Sequence, residues 1–341
     1  MRIGIYLGGT RIAGVELARQ RVHAPRHDDP ARIARSGPQC PQRPLPNAVF
    51  RPTFTSRSCV IFTATPVLSA APPGFGNDMP PHFTLAPRFA FANTLIREAG
   101  SLASGYFHNL SALTVKSKGP QDMVSEADLN TELLIKKRIF DAFPDDAFLG
   151  EETGVTAFAE GQGIWVVDPI DGTQPFISGL TNWCVSIAFV ADNKVQFGLV
   201  YAPERHELFS GGIGIPATLN GHPLPRHPGK SLRDGITGTG YNTRLPLDPF
   251  IRQFKALLAE GGMFYRDGSG ALMLSYVAAG RLLGYIEPHI NSWDCLGAIA
   301  VIEAAGLRVN DFLAGDGLTK GGPIVAGTPE VYDDLLRISK M

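Results

Sequence analysis

The run Trp165-Val-Val-Asp168-Pro169-Ile170-Asp171-Gly172-Thr173 sets two carboxylates three residues apart at the end of an apolar stretch. Pro169 holds Asp168 in an extended backbone. Gly172 permits a sharp turn, and the amides of Gly172 and Thr173 can then open a helix that faces an anion. Three further acidic groups stand elsewhere: Gly150-Glu151-Glu152, which follows the apolar Ala147-Phe-Leu149; Trp293-Asp294; and Lys118-Gly-Pro-Gln-Asp122-Met-Val-Ser-Glu126-Ala-Asp128. Taken singly, each has an ordinary reading. Asp-Pro and Asp-Gly form turns, an acidic pair is a solvated loop, and Asp294 or Asp128 in the first turn of a helix complements its dipole. Taken together they suit a hard divalent cation such as Mg²⁺, which wants carboxylates, carbonyls and waters. A two-metal phosphoryl site needs several such carboxylates, one of them shared by ions about 4 Å apart.

Hydrophobic spacing supplies the elements that would carry these groups. Apolar residues at helical intervals predict a helix over Phe89 to Leu110 and another over Ala127 to Phe143, the second with Leu129, Leu133, Ile139 and Phe143 on its inward face. Strands are expected at Gly163 to Val167, Val185 to Ala191, Val195 to Tyr201 and Leu282 to Ile286, with a hairpin turning at Asp192-Asn193. Ala271 to Ala279 and Trp293 to Ala305 read as helices, the latter capped by Ser292 and ended by Gly306. Interleaved strands and helices, some strands consecutive, indicate an α/β protein with antiparallel pairing.

Composition bounds the function. The chain has 341 residues, 44% of them hydrophobic, and a net charge of −1, which points to neither a nucleic-acid polymer nor a membrane surface as partner. No apolar run reaches the ~18 residues of a membrane span. Cys40, Cys59, Cys184 and Cys295 form no C-x-x-C pair, and the eight histidines are scattered, so no zinc-type set competes. The thiols are expected to be free, in a reducing cytoplasm.

The acidic motifs, in this order, resemble the signatures of the inositol monophosphatases. Gly150-Glu-Glu152, Asp168-Pro-Ile-Asp-Gly-Thr173 and Trp293-Asp294 leading into Glu303-Ala-Ala-Gly306 carry the resemblance. Lys118 to Asp128 looks like the upstream motif and Gly268-Ser269-Gly270-Ala271 like the substrate loop, so that the likeness runs from about Phe83 to Met341. It implies a layered αβαβα sandwich of the inositol monophosphatase and fructose-1,6-bisphosphatase type, usually dimeric, activated by Mg²⁺ and inhibited by Li⁺. Carried over by motif, Glu151, Asp168 and the carbonyl of Ile170 hold one ion; Asp168, Asp171 and Asp294 hold a second. Asp128 pairs with the Thr173 hydroxyl, which with Glu151 orients the attacking water. Gly172 and Thr173 cradle the phosphate, and Glu287 binds substrate hydroxyls. Lys118 and Glu152 stand behind the ligands or at a third ion, and Asp122 behind the ligands.

The resemblance implies in-line attack by activated water on a small phosphomonoester, with no covalent phosphoenzyme. Inositol 1-phosphate is the first expectation for the substrate. Histidinol phosphate, sugar bisphosphates and 3′-phosphoadenosine phosphate are the alternatives. Gln174-Pro175 replaces the commoner Thr-Asn after the Gly-Thr, beside the substrate, and Glu-Ala-Ala-Gly replaces Glu-Ala-Gly-Gly. Neither change removes a ligand, which argues against a binding protein without turnover. An aspartyl-nucleophile phosphatase of the haloacid dehalogenase type needs Asp-x-Asp, whereas Asp168 and Asp171 stand i to i+3.

Residues 1–80 read as a poorly ordered or vestigial extension to the domain at 81–341. They hold ten Arg, no Lys, four acidic residues and 11 of the 27 prolines, with little periodic apolar surface. Met1-Arg-Ile-Gly-Ile-Tyr-Leu-Gly-Gly-Thr10 resembles the opening of ROK-type sugar kinases, but the usual Asp is Tyr6 and the likeness ends near Gln20. One hairpin cannot build a two-lobed ATP site, so an ATP-binding module is not expected. Met79 is the expected alternative start.

Overall fold

The computed structural model describes residues 84–341 apart from 120–121, 157–158, 160 and 242–244. The readings of the first eighty residues (the kinase-like opening, the alternative start, Cys40 and Cys59) lie outside the described residues.

In chain order the elements are α1 (Leu85–Phe107), β1 (Val115–Gly119), β2 (Asp122–Ser125), α2 (Glu126–Ala142), β3 (Ala147–Gly150), β4 (Gly154–Val155), β5 (Ile164–Asp171), α3 (Thr173–Ile177), β6 (Cys184–Ala191), β7 (Lys194–Ala202), β8 (Glu207–Gly212), β9 (Ile215–Leu219), β10 (His222–Pro223), β11 (Ile236–Thr239), α4 (Leu247–Ala259), β12 (Met263–Tyr265), α5 (Gly270–Ala278), β13 (Gly284–Ile290), α6 (Leu296–Ala304), β14 (Arg308–Val309), α7 (Gly317–Lys320), β15 (Gly322–Gly327) and α8 (Tyr332–Ser339). An eight-stranded sheet runs β10-β9-β8-β7-β6-β5-β3-β4, and a five-stranded sheet runs β12-β11-β13-β15-β14.

Strand alternation builds the layers. On β5, Trp165 and Val167 pack with Ile96 of α1 and Ile135 of α2. Ile164 and Val166 face the other way, into a core with Leu274 of α5 and Val301 of α6. Those two helices lie between the sheets, and α4 and α8 cover the far side of the second sheet through Leu257, Leu335 and Val325. The result is an α/β fold with αβαβα layering, as expected. The hairpin between β6 and β7 turns at Asp192 and Asn193, whose φ of 52° and 54° match the left-handed pair that a two-residue turn requires.

Three expectations are corrected. Leu129 and Leu133 are exposed at 42% and 46%; α2 instead turns Asp128, Thr131, Glu132, Ile135 and Ile139 inward. Polar residues with functional partners occupy the buried face there, so apolar spacing pointed one residue off. The helix after Trp293 starts only at Leu296, so Asp294 precedes it and does not sit in its first turn. Ser292 does not cap that helix: its hydroxyl donates to the Leu318 carbonyl, and its own carbonyl accepts from Cys295 and Leu296 in a turn. The strand expected at Leu282 to Ile286 begins two residues later, as β13 (Gly284–Ile290), and so carries Glu287.

Candidate active site

β3 and β5 run parallel and adjacent, in register from Ala147 with Ile164 to Gly150 with Val167. Their carboxyl ends therefore open at the same edge of the sheet, the usual place for a ligand crevice in α/β folds. Glu151 follows β3, and its amide donates to Val167 at 3.3 Å. Asp168 is the next residue on β5, 1% exposed, and its Oδ1 accepts from the Ile170 amide at 2.9 Å. The register with β6 slips between Asp168 and Asp171. Such a bulge re-aims side chains at a strand end. Asp294 arrives from the turn between β13 and α6, where the amide and side chain of Asn291 donate to its Oδ2 at 3.2 and 3.0 Å. One oxygen from each of Glu151, Asp168 and Asp294 lies within 4.8 Å of the others.

Asp171 stands beside this trio, held by the start of α5. Ser269 Oγ and the Ala271 amide donate to its Oδ2, each at 2.6 Å, and the Gly270 amide donates to Oδ1 at 3.3 Å. Burial pushes Asp168 well above the usual carboxylate range, and the charges of Glu151, Asp171 and Asp294 push it further. Asp171 is raised by burial and by Asp294, against the lowering pull of Ser269 and Ala271. Crowded, buried carboxylates of this kind are relieved by a cation. The donors are hard oxygens, and the nearby Cys184 thiol is itself pushed up by burial, so it stays protonated. That set fits Mg²⁺ and not a thiophilic metal.

Thr173 opens α3 directly after Gly172, whose φ of 98° is left-handed. A Cβ at Gly172 would lie 2.7 Å from the Asn182 carbonyl, so the turn requires glycine. Thr173 Oγ1 lies 3.1 Å from Asp128 Oδ1 and 3.3 Å from the Ile170 carbonyl. Asp128 is fully buried, and its Oδ2 accepts from the Ser125 amide and hydroxyl at 2.8 and 2.6 Å in a capping box. Desolvation raises its pKa despite those bonds.

A cleft of about 140 Å³ opens beside these groups, lined by Asp171, Asp294, Gly268, Gly270, Tyr241, Arg266, Tyr285 and Glu287. The Tyr285 hydroxyl donates to Glu287 at 2.6 Å, and burial pushes the Glu287 carboxyl up to about 8. Glu152 is partly buried in the turn after β3, and its amide donates to Glu132. Lys118 and Asp122 fall on β1 and β2; their side chains are outside the described set.

The match to known proteins follows this geometry. The family model described as the inositol monophosphatase family covers residues 84–339. The chain belongs to the inositol monophosphatase family. Phosphomonoester hydrolysis is accordingly its chemistry. A Nus factor SuhB of Haemophilus influenzae is 32% identical over 252 residues, covering 73% of this chain and 94% of that protein. A Nus factor SuhB of Pseudomonas aeruginosa is 35% identical over 262 residues, 74% and 95% of the two chains. Among solved structures, the extragenic suppressor protein suhB of Bartonella henselae matches at 30% identity and a TM-score of 0.69 over 74% of this chain and 98% of that one. The IMPase of Thermotoga maritima matches at 26% and 0.66 over 74% and 97%.

Motif reading passed over four residues that this inositol monophosphatase fold brings in: Glu132, Tyr285, Asn291 and Arg266. Glu132 lies one helical turn beyond Asp128, and Asn291 three residues before Asp294. Helical spacing was the available signal for Glu132, and the strand period of two for Tyr285 beside Glu287. Asn291 lies in the turn before α6, where neither period applies, and nothing local marks Arg266.

Proposed function

We propose that this phosphomonoesterase is Mg²⁺-dependent and acts on small polyhydroxylated phosphomonoesters, with inositol 1-phosphate as the first candidate substrate. The observation that carries the reading is the convergence of Glu151, Asp168 and Asp294, from separate elements, beside the partly buried Thr173–Asp128 pair. Glu151, Asp168 and the Ile170 carbonyl would hold one Mg²⁺, and Asp168, Asp171 and Asp294 a second, with a third ion at Glu152. Bound Mg²⁺ supplies charge neutralisation, a lowered pKa for the attacking water and stabilisation of the leaving alkoxide.

The chain's own groups do the rest. Asp128 accepts the hydrogen bond of the Thr173 hydroxyl, which leaves that oxygen free to accept a hydrogen bond from the attacking water. Glu151 accepts from the water's other O–H and fixes its line of approach. The Gly172 and Thr173 amides bind the phosphate oxygens. Glu287, aligned by Tyr285, receives substrate hydroxyls, and Gly268 and Gly270 line the same cleft, with Ser269 behind them on Asp171. Arg266 at the rim of the same cleft favours an alcohol that also carries an anionic group, which keeps sugar bisphosphates and 3′-phosphoadenosine phosphate beside histidinol phosphate as alternatives. A homodimer and a cytoplasmic setting belong to the same reading; no helix among the described residues is long and apolar enough to cross a membrane.

The test is phosphate release from these four substrates with Mg²⁺, with chelator, and with Asp171→Asn. Mg²⁺-dependent release that the substitution abolishes supports the reading and ranks the substrates. Release that chelator leaves intact overturns it. A second reading takes over the relatives' printed name, Nus factor, and is favoured by a match that spans 94% of the Haemophilus influenzae protein. Replacement of that SuhB in its own organism by this chain, and by its Asp171→Asn form, separates a Nus role from hydrolysis.

A further inference from the structure

Beyond Glu151, whose amide reaches Val167, the β3–β4 turn leaves the sheet, yet it must keep one Glu151 carboxylate oxygen in register with Asp168 and Asp294. α2 holds it. Glu132 is fully buried, and its two carboxylate oxygens accept from the two amides that directly follow Glu151: Glu152 N at 2.8 Å and Thr153 N at 2.7 Å. The approach is possible only because residue 150 is glycine; a Cβ there would overlap the Glu132 carboxylate. One turn further along the helix, Lys136 Nζ donates to Thr153 Oγ1 at 2.9 Å. One turn earlier, Asp128 holds Thr173. Residues 128, 132 and 136 therefore form one stripe of α2, since side chains four apart share a helix face. That stripe grips both banks of the acidic centre.

We propose that Glu132 is a positioning residue for the cation: it fixes the turn at Glu151 and thereby sets Mg²⁺ affinity, not the rate at saturating Mg²⁺. This rests on the reading of Glu151, Asp168 and Asp294 as a Mg²⁺ site. The geometry asks for a carboxylate. Two adjacent N–H donors need two acceptor oxygens, whereas glutamine offers one oxygen and turns an NH₂ group toward the other donor.

The experiment is calorimetric titration of Mg²⁺ into the full, chelator-stripped chain, beside thermal unfolding and phosphate release. Glu132→Gln is compared with Thr156→Val. Thr156 Oγ1 accepts from Phe148 N at 2.9 Å, so its loss loosens the same hairpin without touching the amides of 152 and 153. Glu132→Gln is expected to weaken Mg²⁺ binding about 10- to 100-fold, with kcat recovered at high Mg²⁺. Thr156→Val is expected to lower the melting temperature and leave Mg²⁺ affinity as it was. Unchanged Mg²⁺ affinity in Glu132→Gln, or an equal loss in Thr156→Val, overturns the proposal and leaves Glu132 a structural residue. Should Glu132→Gln fail to fold, Gly150→Ala strains the same contact from the other side and carries the same expectation. No Mg²⁺ binding by the parent chain would overturn the underlying site assignment itself, a result distinct from an unchanged variant.

Discussion

Ser269 donates its hydroxyl to Asp171 Oδ2 over 2.6 Å, across 98 positions of sequence. The same Ser269 oxygen accepts from the Leu272 amide at 3.2 Å and so caps α5. One side chain thus starts the helix and orients a carboxylate at the acidic centre. Ser269→Ala should cost about 1 kcal/mol of stability as a lost cap. It should also lower Mg²⁺-dependent turnover by more than that cost accounts for, because Asp171 loses a donor that fixes its orientation. Thermal unfolding and phosphate release measured on the same sample check the pair of effects.

Thr173 and Asp128 are separated by 3.1 Å and by 45 positions. Thr173→Val keeps the shape and removes the hydroxyl. It should reduce kcat by about 10²- to 10⁴-fold, the range for loss of a positioned proton-transfer group. Thr173→Ser should restore most of the rate. A valine variant as fast as the parent would remove Thr173 from the mechanism.

Glu287 gives a pH signature. Its folded pKa is raised from the ordinary 4.5 to about 8, by burial first and by the Asp294 charge as well, against the lowering hydrogen bond from Tyr285. A raised carboxyl contributes stability that is fully present below 4.5 and is lost as pH rises through about 8. Glu287→Gln lacks that titration and can still accept from Tyr285. In chelator, the variant should therefore gain on the parent from acid to alkaline pH, most steeply between those two values. Denaturant unfolding at several pH values reads the difference; parallel curves would show that Glu287 titrates normally.

Arg88 on α1 forks onto Asp146 with bonds of 2.8 and 2.7 Å, and Trp165 Nε1 donates to the same carboxylate at 2.9 Å. The pair is buried, with side-chain exposures of 11% and 2%. Breaking such a pair strands a charge, at about 3–5 kcal/mol. Arg88→Met should lower stability by that order while the folded fraction keeps its Mg²⁺ affinity and specific activity, because the contact braces the layer behind β5 and touches no active-site group. Calorimetric melting and activity per folded molecule test this.

The acidic motifs could be read from sequence because hard-cation chemistry needs carboxylates at strand ends and turns, and Asp168-Pro-Ile-Asp-Gly-Thr173 announces its turn through Pro169 and Gly172. The nearly continuous apolar strands β5, β6 and β7 were legible for a similar reason: burial on both faces leaves little choice of residue. α2 shows where that reasoning fails. Leu129 and Leu133 had the right spacing for a core face, yet Asp128 and Glu132 are the buried residues. Hydrophobic periodicity assumes that the inward face is apolar. Here it is polar, because each carboxylate finds backbone amides or hydroxyls on elements that are remote in sequence.

By itself, then, the sequence determined the family, the α/β layering and which carboxylates to look for as candidate ligands, since these depend on local composition and on short motifs. The tertiary structure alone decided which carboxylates converge: Glu151, Asp168 and Asp294 form the trio, while Asp171 is drawn to the start of α5. It alone placed Glu132 beneath Gly150 and Ser269 against Asp171. Those relationships arise from strands paired in parallel, from α2 packed on one face of the larger sheet and from α5 packed on the other. Contacts of that kind join residues from 20 to 98 positions apart, and no local spacing encodes them.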